Sequence, residues 1–372
     1  MSRSVAGKVA TAFNLLLFPT IFSPVSSAQY VEARVRSEHV RMKISTEREW
    51  LGRETIVDLE QCWKYVNGVT GKKLPRIVIV EVNWEAADSR ADPNESSISI
   101  GMNQRAASAN TKDFLLRQAA REMAILGLAE LSRGATLRDE NAFLAESMAE
   151  ILAREFDLST KALTAAWVLA HFLDRVKPLS LEAMSSRSSF TGAPRNLTGA
   201  APGISFLVNC RERYGRDSTL KLFETLKKSS LKDALSSTFK ESAAVLEEAW
   251  LKKIRNFPIP EDLTITSEED APQLRETVLA PSTVRRGASL QLRMFIQNGR
   301  NNLTPPSSVF VLEKTTGLVL PGKALTEKDA RFTLVEIPIE ETRPPGTYQY
   351  RATAVDQSGN IRNWEGAYTV VP

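Results

Sequence analysis

The chain has 372 residues, 42% of them apolar and 25% charged, with a formal charge of +4. That length exceeds one ordinary hydrophobic core and implies two domains, and the composition is that of a globular chain with no biased tract. The near balance of charge, without a Lys/Arg stripe, argues against nucleic acid as a partner.

The opening residues, MSRSVAGKVATAFNLLLFPTIFSPVSSAQY, read as a secretory signal. A basic start (Arg3, Lys8) precedes an apolar run from Val9 to Phe22, and Ser26-Ser27-Ala28 offers a small-residue cleavage site before Gln29. A short membrane anchor is the other reading, but Asn14 and Pro19 interrupt the run and leave it short for a bilayer. Cleavage takes away Arg3 and Lys8 and no acid, lowering the formal charge from +4 to +2. No later segment has the length and apolarity of a membrane span. The mature chain is therefore expected to be exported, whether periplasmic, held at the cell envelope or secreted. Asn94, Asn196 and Asn302 fit the glycosylation acceptor pattern, which matters only in a eukaryotic secretory pathway.

From Tyr30 to Ser45 a loose alternation predicts a strand or hairpin, and Thr46-Glu47-Arg48-Glu49 resembles a capping box. The helix it opens carries Leu51, Ile56, Leu59, Trp63 and Val66 on one face and stops near Asn67-Gly68. RIVIVEV (76–82) reads as a buried strand and SSISIGM (96–102) as an alternating one. Beyond Asn110 the chain turns helical, with helices predicted over 112–131, capped by Thr111, and over 140–156, capped by Asp139. Others follow at 160–176, 204–214, 218–228, 231–239 and 243–255, with a Ser/Gly/Pro-rich loop at 185–203. FPIPEDLTITSEEDA (257–271) is proline-rich and acidic, and reads as a linker. After it the helical period gives way to short alternating runs, SLQLRMFIQ, SSVFVLEK, RFTLVEIPI, TYQYRATAV and AYTVV, which predict an all-β sandwich over 272–372. PPGTYQYRATAVDQSGN (344–360) resembles the closing hairpin of bacterial immunoglobulin-like or fibronectin-type modules.

The chemistry turns on REMAI (121–125), inside the first long helix of the second part, and on FLAESMAEIL (143–152), where Glu146 follows after twenty intervening residues. Positions i and i+4 of a helix share a face, so two histidines at that spacing can hold one zinc, with a neighbouring Glu as general base. The order of these segments resembles the gluzincin zinc peptidases, in particular the peptidase MA-like families, whose second helix reads roughly Trp-Leu-x-Glu-Gly-x-Ala-Glu. Phe143-Leu144-Ala145-Glu146-Ser147-Met148-Ala149-Glu150 follows that frame. Downstream, Tyr214-Gly215 and Trp250 resemble the family's closing helices. The resemblance implies an α+β zincin-like domain over 29–256, an α/β part (29–105) followed by a helical part (106–256), ahead of the immunoglobulin-like sandwich.

At the ligand positions the sequence departs from the family. Arg121 stands where the first histidine belongs and Ile125 where the second belongs. Arginine stays protonated and isoleucine has no donor atom, so neither ligates zinc. The resemblance then implies a homologue without zinc or other cofactor and without catalytic residues, in which Arg121, Glu122, Ile125 and Glu146 are vestigial active-site positions. A buried carboxylate without a cation is costly. An Arg121–Glu146 ion pair is therefore expected in place of the metal, with Ile125 filling the second ligand's space and the site closing as a structural plug.

The expected function is that of an exported pseudopeptidase, which binds a peptide or protein ligand or serves as an envelope scaffold. The other reading is a hydrolase that uses a displaced metal site or the carboxylates Glu122, Glu146 and Glu150. Glu146 and Glu150 share a helix face, though Arg154 lies four residues further on to compensate Glu150. No nucleophile elbow, thiol signature or phosphate-binding glycine loop is present. Cys62 and Cys210 allow one disulfide or two buried thiols. Two cysteines and two histidines this scattered build no zinc site. His171 reads as a partly buried helix residue and His39 as a surface one. Trp63, Trp84, Trp167, Trp250 and Trp364 read as core or interface aromatics.

Overall fold

The computed structural model describes residues 32–71, 73–86, 88–102, 111–157, 161–185, 197–259, 272–297, 308–327, 330–356 and 359–372. The expected signal and its cleavage site, most of the linker, Asn196 and Asn302 lie outside the described residues. Within them the chain mixes helices with three sheets and is an α+β protein. No helix among the described residues is long and apolar enough to cross a membrane.

The first sheet forms from the hairpin β1 (Glu32–Arg36) and β2 (Val40–Ser45), then β3 (Val78–Asn83), β4 (Arg90–Asp92) and β5 (Ser97–Gly101), in the order β1-β2-β3-β5-β4. β2, β3 and β5 run parallel, and β1 and β4 are antiparallel edges. Helix α1 (Glu49–Val69) makes the crossover that parallel β2 and β3 require. It buries Leu51, Ile56, Leu59, Trp63 and Val66, the face that its periodicity predicts. Thr46–Arg48 make a 3-10 turn ahead of the helix, and α1 begins at Glu49, three residues beyond the expected cap at Thr46.

The helical layer holds α2 (Thr111–Leu131), α3 (Ala142–Phe156), α4 (Lys161–Val176), α5 (Leu181–Ser185), α6 (Leu197–Tyr214), α7 (Arg216–Thr225), α8 (Leu231–Phe239) and α9 (Ala243–Arg255). α2 is buried almost all round, packed on α1 and α3 and against β4 and β5. α6 begins at Leu197, inside the stretch predicted as loop. The Gly and Ala residues that suggest a loop are there for close packing. A Cβ at Gly203 would stand 2.1 Å from Ser147 Oγ on α3, closer than any side chain tolerates. Trp250 on α9 is fully buried, donates through Nε1 to Ser205 Oγ at 3.0 Å, and meets Phe206 edge-on.

The C-terminal strands are β6 (Gln273–Ala280), β7 (Thr283–Arg285), β8 (Ser289–Gln297), β9 (Ser308–Glu313), β10 (Val319–Pro321), β11 (Lys323–Glu327), β12 (Ala330–Pro338), β13 (Gly346–Val355) and β14 (Ile361–Val371). They form two sheets, β10-β9-β13-β14-β7 and β11-β12-β8-β6, whose inner residues share one buried cluster, among them Leu292, Val335, Val311 and Tyr350. Alternation predicts β8, β9, β12, β13 and the end of β14. It misses β6, an edge strand whose faces are nearly all exposed and so carry no period.

This sandwich is packed onto the helices. Phe310 stacks on Phe172 of α4 at 5.1 Å, and Phe310, Val319, Val355 and Ile361 belong to the helical core rather than to the sandwich's own. Gly359, at φ +84°, brings its backbone against α4: a Cβ there would lie 2.7 Å from Ala162 Cα.

Candidate functional site

α2 and α3 meet along a ladder of charge. Arg117 Nε lies 2.9 Å from Asp157 Oδ2, and Arg121 Nε lies 3.5 Å from Glu150 Oε2, pairings that only antiparallel helices allow. Arg121 Nη1 also donates to Glu122 at 2.5 Å, and Arg154 pairs with Glu150 at 2.7 Å from one turn along α3. Glu122 is 0% exposed, Arg121 5% and Glu150 8%. Burial pulls the Arg121 guanidinium down, but Glu122, Glu150 and Glu146 outweigh it and hold the proton more firmly than usual. Burial pushes the Glu150 carboxyl up, and Arg154, Arg121 and Arg117 reverse this, holding it below its ordinary range.

Arg121 makes ion pairs with Glu122 and Glu150, and Glu146 adds its charge to theirs. The antiparallel register brings Glu150, one turn beyond Glu146, level with Arg121. The plug is closed only at its centre, because Ile125 and Glu146 are half-buried and form a rim.

Arg121, Glu122 and Ile125 lie on α2 and Glu146 on α3, two helices that pack against each other. What they can do chemically is limited by arginine. Glu122 and Glu150 both accept from buried guanidinium groups, and a carboxyl held below its ordinary range carries no proton to give near neutrality. Both cysteines are buried free thiols, Cys62 on α1 and Cys210 on α6, which decides between the two alternatives. Burial pushes the Cys210 thiol up to about 12 and raises Cys62 as well.

His39 is the residue that the sequence reading misplaces. It is half-buried rather than a surface residue, stacked on Trp63 of α1 at 3.8 Å with the rings 8° from parallel. Its Nδ1 lies 2.6 Å from Glu60 Oε1, and Glu60 Oε2 accepts from Ser37 Oγ and from the His39 backbone N–H. His39 and Glu60 are 21 residues apart on different elements, and no local spacing announces such a pair. His171 sits as expected, part-buried on α4 with Nδ1 2.9 Å from the Ile254 carbonyl oxygen. Trp63, Trp167 and Trp250 are core residues, while Trp84 and Trp364 are half-buried, Trp84 under the Arg48 guanidinium at 3.5 Å.

No protein-family model matches the chain, and no curated protein does. Solved structures that align with it do so loosely. An aminopeptidase N family protein from Idiomarina loihiensis shares 9% identity over 92% of this chain and 67% of its own, with a TM-score of 0.30. The Pseudomonas fluorescens alkylpurine DNA glycosylase AlkC, bound to DNA containing an abasic site analog, shares 12% identity over 88% and 100%, with a TM-score of 0.22. Domains 1-6 of the surface layer protein SbsC share 11% over 84% and 45%, at 0.17. Overlaps this loose carry no argument about fold or function.

Proposed function

We propose that the chain is an exported, non-catalytic relative of the gluzincin peptidases, with an immunoglobulin-like C-terminal sandwich. In this reading a charge ladder stands where the family holds zinc, and the two-lobed body binds a peptide or protein or serves as an envelope scaffold. One observation carries it: the residue at the first ligand position is a buried arginine tied to Glu122 and Glu150, while the second is isoleucine. An arginine so placed supplies the positive charge that a bound cation would give to the same carboxylates. Docking of the sandwich on α4 favours the scaffold half, since it joins the two parts through a shared apolar contact.

The test is to rebuild the metal site. Arg121→His/Ile125→His places imidazoles at i and i+4 on α2, one of them level with α3. The double variant should take up one zinc equivalent more than the parent chain, and Glu146→Gln should remove that increment. A folded double variant that takes up no additional zinc would show that α2 and α3 lack the peptidase geometry. Hydrolysis of an unstructured peptide mixture by the parent chain, abolished by Glu150→Gln, would instead return it to the hydrolases.

A further inference from the structure

Among the described residues, a group of metal-ligating side chains lies at the tip of the β1–β2 hairpin, away from the α2–α3 ladder. The Ser37 backbone N–H bonds to the Val40 carbonyl at 2.9 Å and Arg36 pairs with Arg41, so Glu38 and His39 are the two residues of the turn. Glu38, His39 and Glu60 offer ligand atoms that all lie within 4.8 Å of one another.

The geometry points to a site for one divalent transition-metal ion, held by His39 Nε2 and the Glu38 carboxylate, with Glu60 as the positioning residue behind the imidazole. Glu60 Oε1 stands 2.6 Å from His39 Nδ1, where a carboxylate accepts a hydrogen bond from Nδ1–H, and in the neutral ring this leaves the lone pair on Nε2. A ligating histidine is commonly oriented in this way, its second nitrogen held by a carboxylate. Both oxygens of Glu60 are already engaged, Oε2 by Ser37 Oγ at 2.7 Å and by the His39 N–H at 3.0 Å. It is therefore an orienting group rather than a ligand. The ring is fixed from its face as well, stacked on Trp63, whose own Nε1 is tied to the Pro75 carbonyl at 3.0 Å.

Glu38 Oε1 faces Nε2 across 3.7 Å. That gap is too long for a hydrogen bond, and it suits two ligands each about 2.0–2.2 Å from a shared ion. The Glu38 side chain is 74% exposed, so it can adjust to the ion and leaves room for water to complete the shell. Lys64 Nζ, 3.8 Å from Glu60 Oε1, balances the charge of Glu60, so that Glu38 remains as the counter-charge for the ion. Imidazole with one carboxylate suits zinc, copper or nickel rather than calcium or magnesium, which prefer all-oxygen shells.

The experiment is a zinc titration of the full chain followed through its imidazole nitrogens by NMR. The chain has two histidines, so His171 serves as the internal control. A saturable shift of His39 Nε2, with His171 unmoved, is the expected result. Copper should quench the Trp63 share of the fluorescence over the same range. Glu38→Gln, on an exposed turn, should weaken zinc at least tenfold with no change in melting temperature, and Glu60→Gln should weaken it by roughly 10–100-fold. A His39 signal indifferent to excess zinc, or Glu38→Gln binding as tightly as the parent chain, would overturn the assignment and leave His39 a packing residue.

Discussion

Replacing Arg121 with methionine keeps much of its hydrocarbon and removes the guanidinium that sits 2.5 Å from Glu122 and 3.5 Å from Glu150. Glu150 retains Arg154 at 2.7 Å, so the loss falls on Glu122, which is 0% exposed. Removing one partner of a buried pair costs about 3–5 kcal/mol. A second route gives the same size. Glu122 can respond to the loss of the guanidinium by taking a proton, at about 1.4 kcal/mol for each pH unit above its unfolded value of about 4.3, or roughly 3.7 kcal/mol at pH 7. Urea unfolding at pH 7 should therefore show Arg121→Met less stable by about 3–5 kcal/mol, and Arg121→Met/Glu122→Leu should recover most of that. The sign with pH follows. In the single variant the folded-state pKa of Glu122 is raised, so its stability grows relative to the parent as pH falls, and the gap should narrow by roughly 3 kcal/mol between pH 7 and about 4.3. A single variant within about 1 kcal/mol of the parent, or a gap that does not change with pH, would refute the idea that Arg121 compensates buried charge.

Gly203→Ala should destabilise by about 1–3 kcal/mol, because its Cβ meets Ser147 Oγ. Ser147→Ala in the same chain should return part of the loss, and independence of the two would mean that α6 does not press on α3 there. In the sandwich, burial pushes Glu313 up while hydrogen bonds from Thr316 and Thr315 hold it below its ordinary range, with Arg343 3.3 Å away. A depressed carboxyl stabilises the fold above its unfolded value, and that contribution is lost as pH falls through the folded one. Glu313→Gln should thus cost about 1–3 kcal/mol at pH 7 and progressively less below about pH 4, read from melts across that range.

Local periodicity determined much of this molecule. The apolar spacing of α1, the all-round burial of α2 and the two-residue alternation of β8, β12 and β13 are properties of neighbours in the chain, so a single sequence displays them. The same holds for the placing of Arg121, Glu122, Ile125 and Glu146 on two successive helices. What the sequence could not carry was register between elements. That Glu150 comes within ion-pair distance of Arg121 depends on how two antiparallel helices slide against each other, which the sequence pattern does not fix. The His39–Glu60 pair, the start of α6 at Leu197 and the docking of Phe310 on Phe172 were likewise decided in three dimensions. In each of these the partner lies on another element, and only the packing of those elements brings the two groups within reach.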